Sequence, residues 1–165
     1  MLNRLFLNVA VARGNTGCLT SYPWSLLSST ASSKYKLLKQ KSISQTSWSQ
    51  EGTRSSFLMG LYVEGKGGIY LKLTEKSEGR KGEIFVNFLD FTKFSAGLKC
   101  VHDSGFSSEE CFSLSDGEDC SIFHMGEEIR IRKKAKNPIE SGLVVVSIGE
   151  VEQIVQTIKE FGAST

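Results

Sequence analysis

Eight side chains in this sequence have the types and spacing to recognise a flat, charged ligand: Tyr62, Lys66, Tyr70, Lys72, Phe85, Asn87, Arg130 and Arg132. In IYLKL, Tyr70 and Lys72 alternate with Ile69, Leu71 and Leu73; in EIRIRKK, Arg130 and Arg132 alternate with Ile129 and Ile131. Successive side chains of a strand point to opposite faces, so the apolar set faces a core and the aromatic and basic set faces solvent. Rings interleaved with cations on an open antiparallel sheet suit single-stranded nucleic acid, because bases stack on rings while cations follow the phosphates. The alternative is that Arg130, Arg132, Lys133, Lys134 and Lys136 merely solubilise one face or blunt an edge strand.

Catalytic chemistry is not expected. His102 and His124 are the two histidines, and no G-x-S-x-G, H-E-x-x-H or G-x-x-x-x-G-K-[ST] pattern occurs. EGKGG is followed by a strand, not by the helix a phosphate loop requires. Cys100, Cys111, Cys120 and His124 approach a three-Cys, one-His zinc order, yet the spacings are loose and no C-x2-C knuckle is present. The thiols are therefore read as structural, with no metal, cofactor or small-molecule substrate.

The elements that position these side chains come as an internal repeat. Displaced by sixty residues, KGEIFVNFLDFTKFSAGL (81–98) falls on SGLVVVSIGEVEQIVQTI (141–158) without a gap, and GGIYLKLTEK (67–76) falls on EEIRIRKKAK (127–136). Gly82 meets Gly142, Ile84 meets Val144, Val86 meets Val146, and Phe94 meets Ile154. The fold class predicted is α+β: two tandem units, each of about four antiparallel strands and one helix. In the first, Phe57, Met59, Leu61 and Val63 alternate, then Ile69, Leu71 and Leu73, then Ile84, Val86 and Phe88, and Asp90 caps a helix carrying Phe91, Phe94 and Leu98. In the second, Ser147 and Glu150 form a capping box ahead of Val151, Ile154, Val155, Ile158 and Phe161. SWSQ (47–50) and ECFSL (110–114) supply a fourth strand to each, and the acidic stretch 103–119 is read as a solvated linker.

Charge divides the chain differently. Residues 1–50 hold no acid, six basic residues and ten serines, whereas residues 51–165 hold all 18 acids against 14 basic residues, a net of −4. The opening MLNRLFLNVAVAR, with Leu2, Phe6 and Val9 on one helical face and Arg4 and Arg13 as cations, fits an organellar transit peptide. The organisation predicted is residues 1–40 as transit peptide and flexible tail, carrying Cys18, and 41–165 as the folded domain with repeats about 47–102 and 107–162. The destination expected is the mitochondrial matrix, with the plastid as alternative. No stretch approaches the roughly 18 uncharged apolar residues of a membrane helix.

With GGIYLKLTEKSEGRKGEIFVNFLDFTKFSAGL at its centre, the tandem arrangement over residues 55–162 resembles the superfamily of the Whirly proteins, the mitochondrial guide-RNA-binding proteins of Whirly type, the purine-rich-element-binding (PUR) repeats and the positive-cofactor-four coactivators. The best local likeness is to a PUR repeat, in the aromatic-containing strand IYLKL and the helix opening LDFTKF. The Lys-Gly-Lys-Ala stretch of the Whirly proteins is absent, Lys81, Gly82 and Glu83 coming nearest. The resemblance implies single-stranded RNA or DNA binding without catalysis, and homo- or hetero-oligomers formed through helices. An apolar sheet surface left bare by a first helix shorter than the second points to association as well. The alternative function is an architectural, protein-binding subunit of an organellar ribosome or RNA-processing complex.

Overall fold

Apolar alternation produces the strands, and the apolar stripes produce the helices that cover them. The computed structural model describes residues 34–44, 47–49, 52–77, 79–136 and 141–165; the transit segment expected upstream lies outside them except for its last residues. The elements are β1 (Tyr35–Ser44), β2 (Ser47–Ser49), β3 (Gly52–Glu64), β4 (Ile69–Ser77), β5 (Arg80–Asn87), α1 (Phe91–Ser104), β6 (Glu109–Ser113), β7 (Asp119–Met125), β8 (Glu128–Lys134), β9 (Gly142–Ser147) and α2 (Val151–Gly162). One antiparallel sheet has the order β1-β3-β4-β5, with β2 also paired to β3, and the other has the order β6-β7-β8-β9. Each sheet is followed by its helix, so the chain is α+β and built of two tandem strand-rich units. No helix among the described residues is long and apolar enough to cross a membrane.

The sixty-residue repeat survives in detail. The 3-10 turns Phe88–Asp90 and Ile148–Glu150 lead into α1 and α2 at equivalent positions. The capping box of the second unit is present, with Ser147 N donating to Glu150 Oε2 at 2.9 Å. In the first unit the capping group is Asn87, whose Oδ1 accepts from Leu89 N at 3.0 Å. Asp90 makes no cap bond. Its buried carboxylate instead accepts from Ser115 N at 3.0 Å and Ser115 Oγ at 2.6 Å, tying the β6–β7 turn to the start of α1.

Phe57, Met59, Leu61, Leu71, Leu73, Ile84 and Val86 of the first sheet share one core with Ile122, Ile129, Ile131, Val144 and Val146 of the second. Phe91, Phe94, Leu98 and Val101 of α1 and Val151, Ile154, Val155, Ile158 and Phe161 of α2 close it, and the two helices touch. The shorter first helix expected from the sequence is not found: α1 has 14 residues and α2 has 12. Both stripes are buried inside the chain, which removes the bare sheet as a reason to expect a partner.

The sheets meet edge to edge where β5 crosses β9. A Cβ on Gly82 would collide with the Leu143 carbonyl, and one on Gly142 with the Glu83 carbonyl, so these equivalent glycines let the two backbones approach. A sheet edge leaves N–H and C=O groups unpaired, and here each sheet supplies a charged side chain to the edge of the other. Glu75 of β4, 1% exposed, accepts from Val145 N of β9 at 2.8 Å and from Arg80 Nη2 at 3.0 Å. Lys133 of β8 donates to the Phe85 carbonyl of β5 at 2.8 Å, and Asp116 and Glu118 balance its charge at 3.0 and 2.7 Å.

Lys133 is thus no part of the solvent-facing basic run: alternation turns it inward from Arg132 and Lys134, which are exposed. The acidic stretch is likewise no plain solvated linker, because it holds the end of α1, strand β6, and the turn whose acids neutralise Lys133.

The boundary expected at residue 40 falls inside β1, which pairs with β3 from Tyr35 to Ser44. A register shift between Leu37 and Lys39 marks a bulge, and one extra residue reverses which face the strand presents. Leu37 therefore lies opposite Tyr62 on the outer face, whereas Lys39 and Lys41 lie opposite the buried Leu61 and Met59, and Ile43 enters the core.

Candidate nucleic-acid interface

The outer face of the first sheet carries the ring cluster. Tyr62 lies opposite Tyr70, Tyr70 opposite Asn87, and Lys72 opposite Phe85. The Tyr62 ring reaches back over Gly60, where a Cβ would be 2.6 Å from the ring, and the Tyr70 ring over Gly68, where it would be 2.9 Å away. A glycine two residues earlier on the same face thus seats each tyrosine close to the sheet.

Tyr35, brought in by β1, joins the cluster: its ring stacks on Phe85 at 5.1 Å and meets Tyr70 edge-on at 5.4 Å, while Tyr62 meets Phe85 at 6.3 Å. The Lys72 ammonium lies 5.2 Å from the Phe85 centroid and 6.0 Å from that of Tyr62, and the Lys34 ammonium lies 5.2 Å from the Tyr35 centroid. These are cation–π distances.

Carboxylates hold the two lysines. Lys72 and Lys81 both pair with Glu83, at 2.8 and 2.7 Å, and Lys34 pairs with Glu64 at 2.8 Å. Burial pushes the Glu83 carboxyl up, but hydrogen bonds and charge from Lys72 and Lys81 outweigh it and hold the group below the usual carboxylate range. The Lys34 hydrogen bond holds Glu64 low, and Glu64 in turn raises Lys34. Burial raises the Tyr70 phenol, with Glu64 and Tyr35 adding to the effect, so it stays protonated and donates to Glu64 at 3.4 Å.

Lys66 is exposed on the β3–β4 turn. Asn87 adjoins Tyr70, but its carbonyl oxygen is engaged at Leu89 N. Arg130 and Arg132 lie on the outer face of the second sheet, where with Phe123, Met125 and Leu143 they line a groove of about 490 Å³. A larger groove of about 620 Å³ runs from Tyr35, Tyr70 and Phe85 past Lys81. Ser141, Gly142 and Leu143 border both, so the ring face and the arginine face share one rim.

The chain matches no protein-family model and no curated protein, so the chemistry rests on this geometry.

Sequence reasoning missed Tyr35, Lys34, Glu64 and Glu83. Only the bulge in β1 explains why Tyr35 and Ile43, an even number of residues apart, sit on opposite faces. The two carboxylates carried a signal that was available: Glu83 precedes Phe85 by two and so shares its face.

The thiols are dispersed. Cys120 is buried beneath the second sheet, while Cys100 and Cys111 are exposed on α1 and β6. No group of three or more His, Cys, Asp or Glu able to hold a metal occurs among the described residues. Burial pushes the Cys120 thiol up to about 12. Iodoacetamide at mildly alkaline pH, followed by peptide mapping, should modify Cys100 and leave Cys120 untouched until denaturant is added; equal modification of the two in folded protein would contradict this packing.

Proposed function

We propose that this chain is a non-catalytic organellar protein that binds single-stranded RNA or DNA across the outer faces of its two sheets. The observation that carries this is the cluster of Tyr35, Tyr62, Tyr70 and Phe85, half-exposed on an open sheet with the Lys72 ammonium over two of the rings. Stacking of this kind accepts every base, so little sequence preference is expected. The arginines across the shared rim add bonds to phosphate. The Whirly- and PUR-like reading is proposed from the sequence pattern of residues 55–162, and members of that superfamily bind single strands.

Salt titration of a fluorescent oligonucleotide tests it. Affinity should fall steeply with salt, and Arg132→Ala should flatten the logarithmic slope by about 0.7, equally for all sequences, because one phosphate is no longer neutralised. Affinity independent of salt, or a slope untouched by Arg132→Ala, would remove the second sheet from the interface.

Import into the mitochondrial matrix, or alternatively the plastid, is proposed from the acid-free N-terminal composition. Because β1 begins at Tyr35 and contributes a ring, processing has to leave that strand intact. N-terminal sequencing of the protein from organelles should therefore return a start before Tyr35; Met1, or a start beyond Tyr35, would contradict it.

A further inference from the structure

We propose that Glu83 and Glu64 are built-in competitors of the ligand's phosphates for two lysines, each holding its lysine over a ring until a strand displaces the carboxylate. This rests on the single-strand-binding reading above and names two residues that set its affinity.

The Lys72 ammonium is 2.8 Å from Glu83 and 5.2 Å from the Phe85 centroid. Offset-stacked rings have centroids about 4.5–7 Å apart, so the ammonium stands where an incoming base would sit. The same motif recurs on the other side of the cluster, where Lys34 is 2.8 Å from Glu64 and 5.2 Å from the Tyr35 centroid. Lysines held by carboxylates thus stand over three of the four rings, Tyr35, Tyr62 and Phe85, and a base takes such a place only when the lysine swings away.

A phosphate makes that exchange feasible, because it offers the ammonium the same charge-assisted bond while its base takes the vacated ring face. Ion pairs that water reaches are weakly held, so the exchange needs no large compensation. Glu83 also binds Lys81, so the carboxylate it frees remains neutralised by a second cation after Lys72 has left.

The sign of the effect is distinctive. Glu83→Gln keeps the shape of the side chain and removes the competing charge, so it should tighten binding of a fluorescent oligothymidylate by about 2- to 5-fold, the size of one such ion pair. The logarithmic salt slope should stay the same, since Lys72 meets a phosphate in both proteins once the strand is bound. Glu64→Gln should act in the same direction through Lys34. Glu160→Gln is the matched control: this carboxylate lies on α2 and pairs with Lys41, so its loss changes net charge equally and should leave affinity unchanged.

Full-length wild type and the three variants, titrated in parallel over a range of salt, decide the matter. Tightening by Glu83→Gln at an unchanged salt slope, with no tightening by Glu160→Gln, is the expected result. Affinity unchanged or weakened in Glu83→Gln, or raised equally by Glu160→Gln, overturns the proposal while leaving single-strand binding intact. Weakening confined to cytosine-containing strands also overturns it, by showing that Glu83 accepts from a base. Wild type that binds no oligonucleotide at all overturns the underlying reading instead.

Discussion

Replacing Glu75 by alanine should destabilise the protein by about 1–3 kcal/mol, the range for removing a buried hydrogen-bonding partner. The carboxylate is 1% exposed and accepts two bonds from Arg80 at 3.0 and 3.1 Å, one from Val145 N at 2.8 Å and one from Ser77 Oγ at 2.5 Å. Its removal takes away the carboxylate that Arg80 bonds and the carboxylate acceptor of an edge N–H of β9. Glu75→Gln keeps an acceptor for Val145 N but not the charge, so it should fall between alanine and wild type. Urea unfolding checks both; a loss below about 1 kcal/mol for the alanine variant would show that Glu75 does not hold the sheets together.

Gly142→Ala should cost about 3 kcal/mol, at the upper end of what overpacking does, because the obstacle is backbone. The added methyl would meet the Glu83 carbonyl and the Ile84 side chain, so β5 and β9 would have to separate. Separation would also loosen the bonds from Glu75 to Val145 N and from Lys133 to the Phe85 carbonyl. Gly149→Ala is the matched control: nothing lies within 4 Å of a Cβ there, and the substitution should be neutral or stabilising by up to about 1 kcal/mol. Equal thermal midpoints for the two variants would contradict the close crossing. Such a crossing also explains why glycine recurs at both positions of the repeat when the surrounding residues differ.

Much of this architecture is legible in the sequence because local pattern and tertiary role agree. Ile69, Leu71 and Leu73, or Val151, Ile154, Val155, Ile158 and Phe161, need only period two or a helical stripe to be placed. The capping box of Ser147 and Glu150 is found for the same reason, being complete within four residues. What escapes is decided by distant partners. Asp90 has the type and position of a helix cap, but Ser115, 25 residues on, offers it an N–H and a hydroxyl together. Lys133 reads as one more cation of a basic run, and only Asp116, Glu118 and the Phe85 carbonyl reveal why a lysine faces inward.

The ring face was half legible. Tyr62, Tyr70, Lys72 and Phe85 follow from alternation, because hairpin pairing fixes their register. Tyr35 does not, since the bulge near Leu38 breaks the parity on which such an inference depends. The same break hid the strand itself, whose basic and serine-rich composition merges with the acid-free segment before it.

Stacking on these rings is tested most directly by comparing an oligothymidylate with an abasic oligonucleotide of equal length and charge, against full-length wild type and a Tyr70→Ala, Phe85→Ala double variant. Wild type should bind the oligothymidylate more tightly, and the double variant should lose about 1–3 kcal/mol per stacked base on that strand alone, its weaker affinity for the abasic strand being unchanged. Equal affinity of wild type for the two strands, or a double variant that binds the oligothymidylate like wild type, would contradict base stacking on this face.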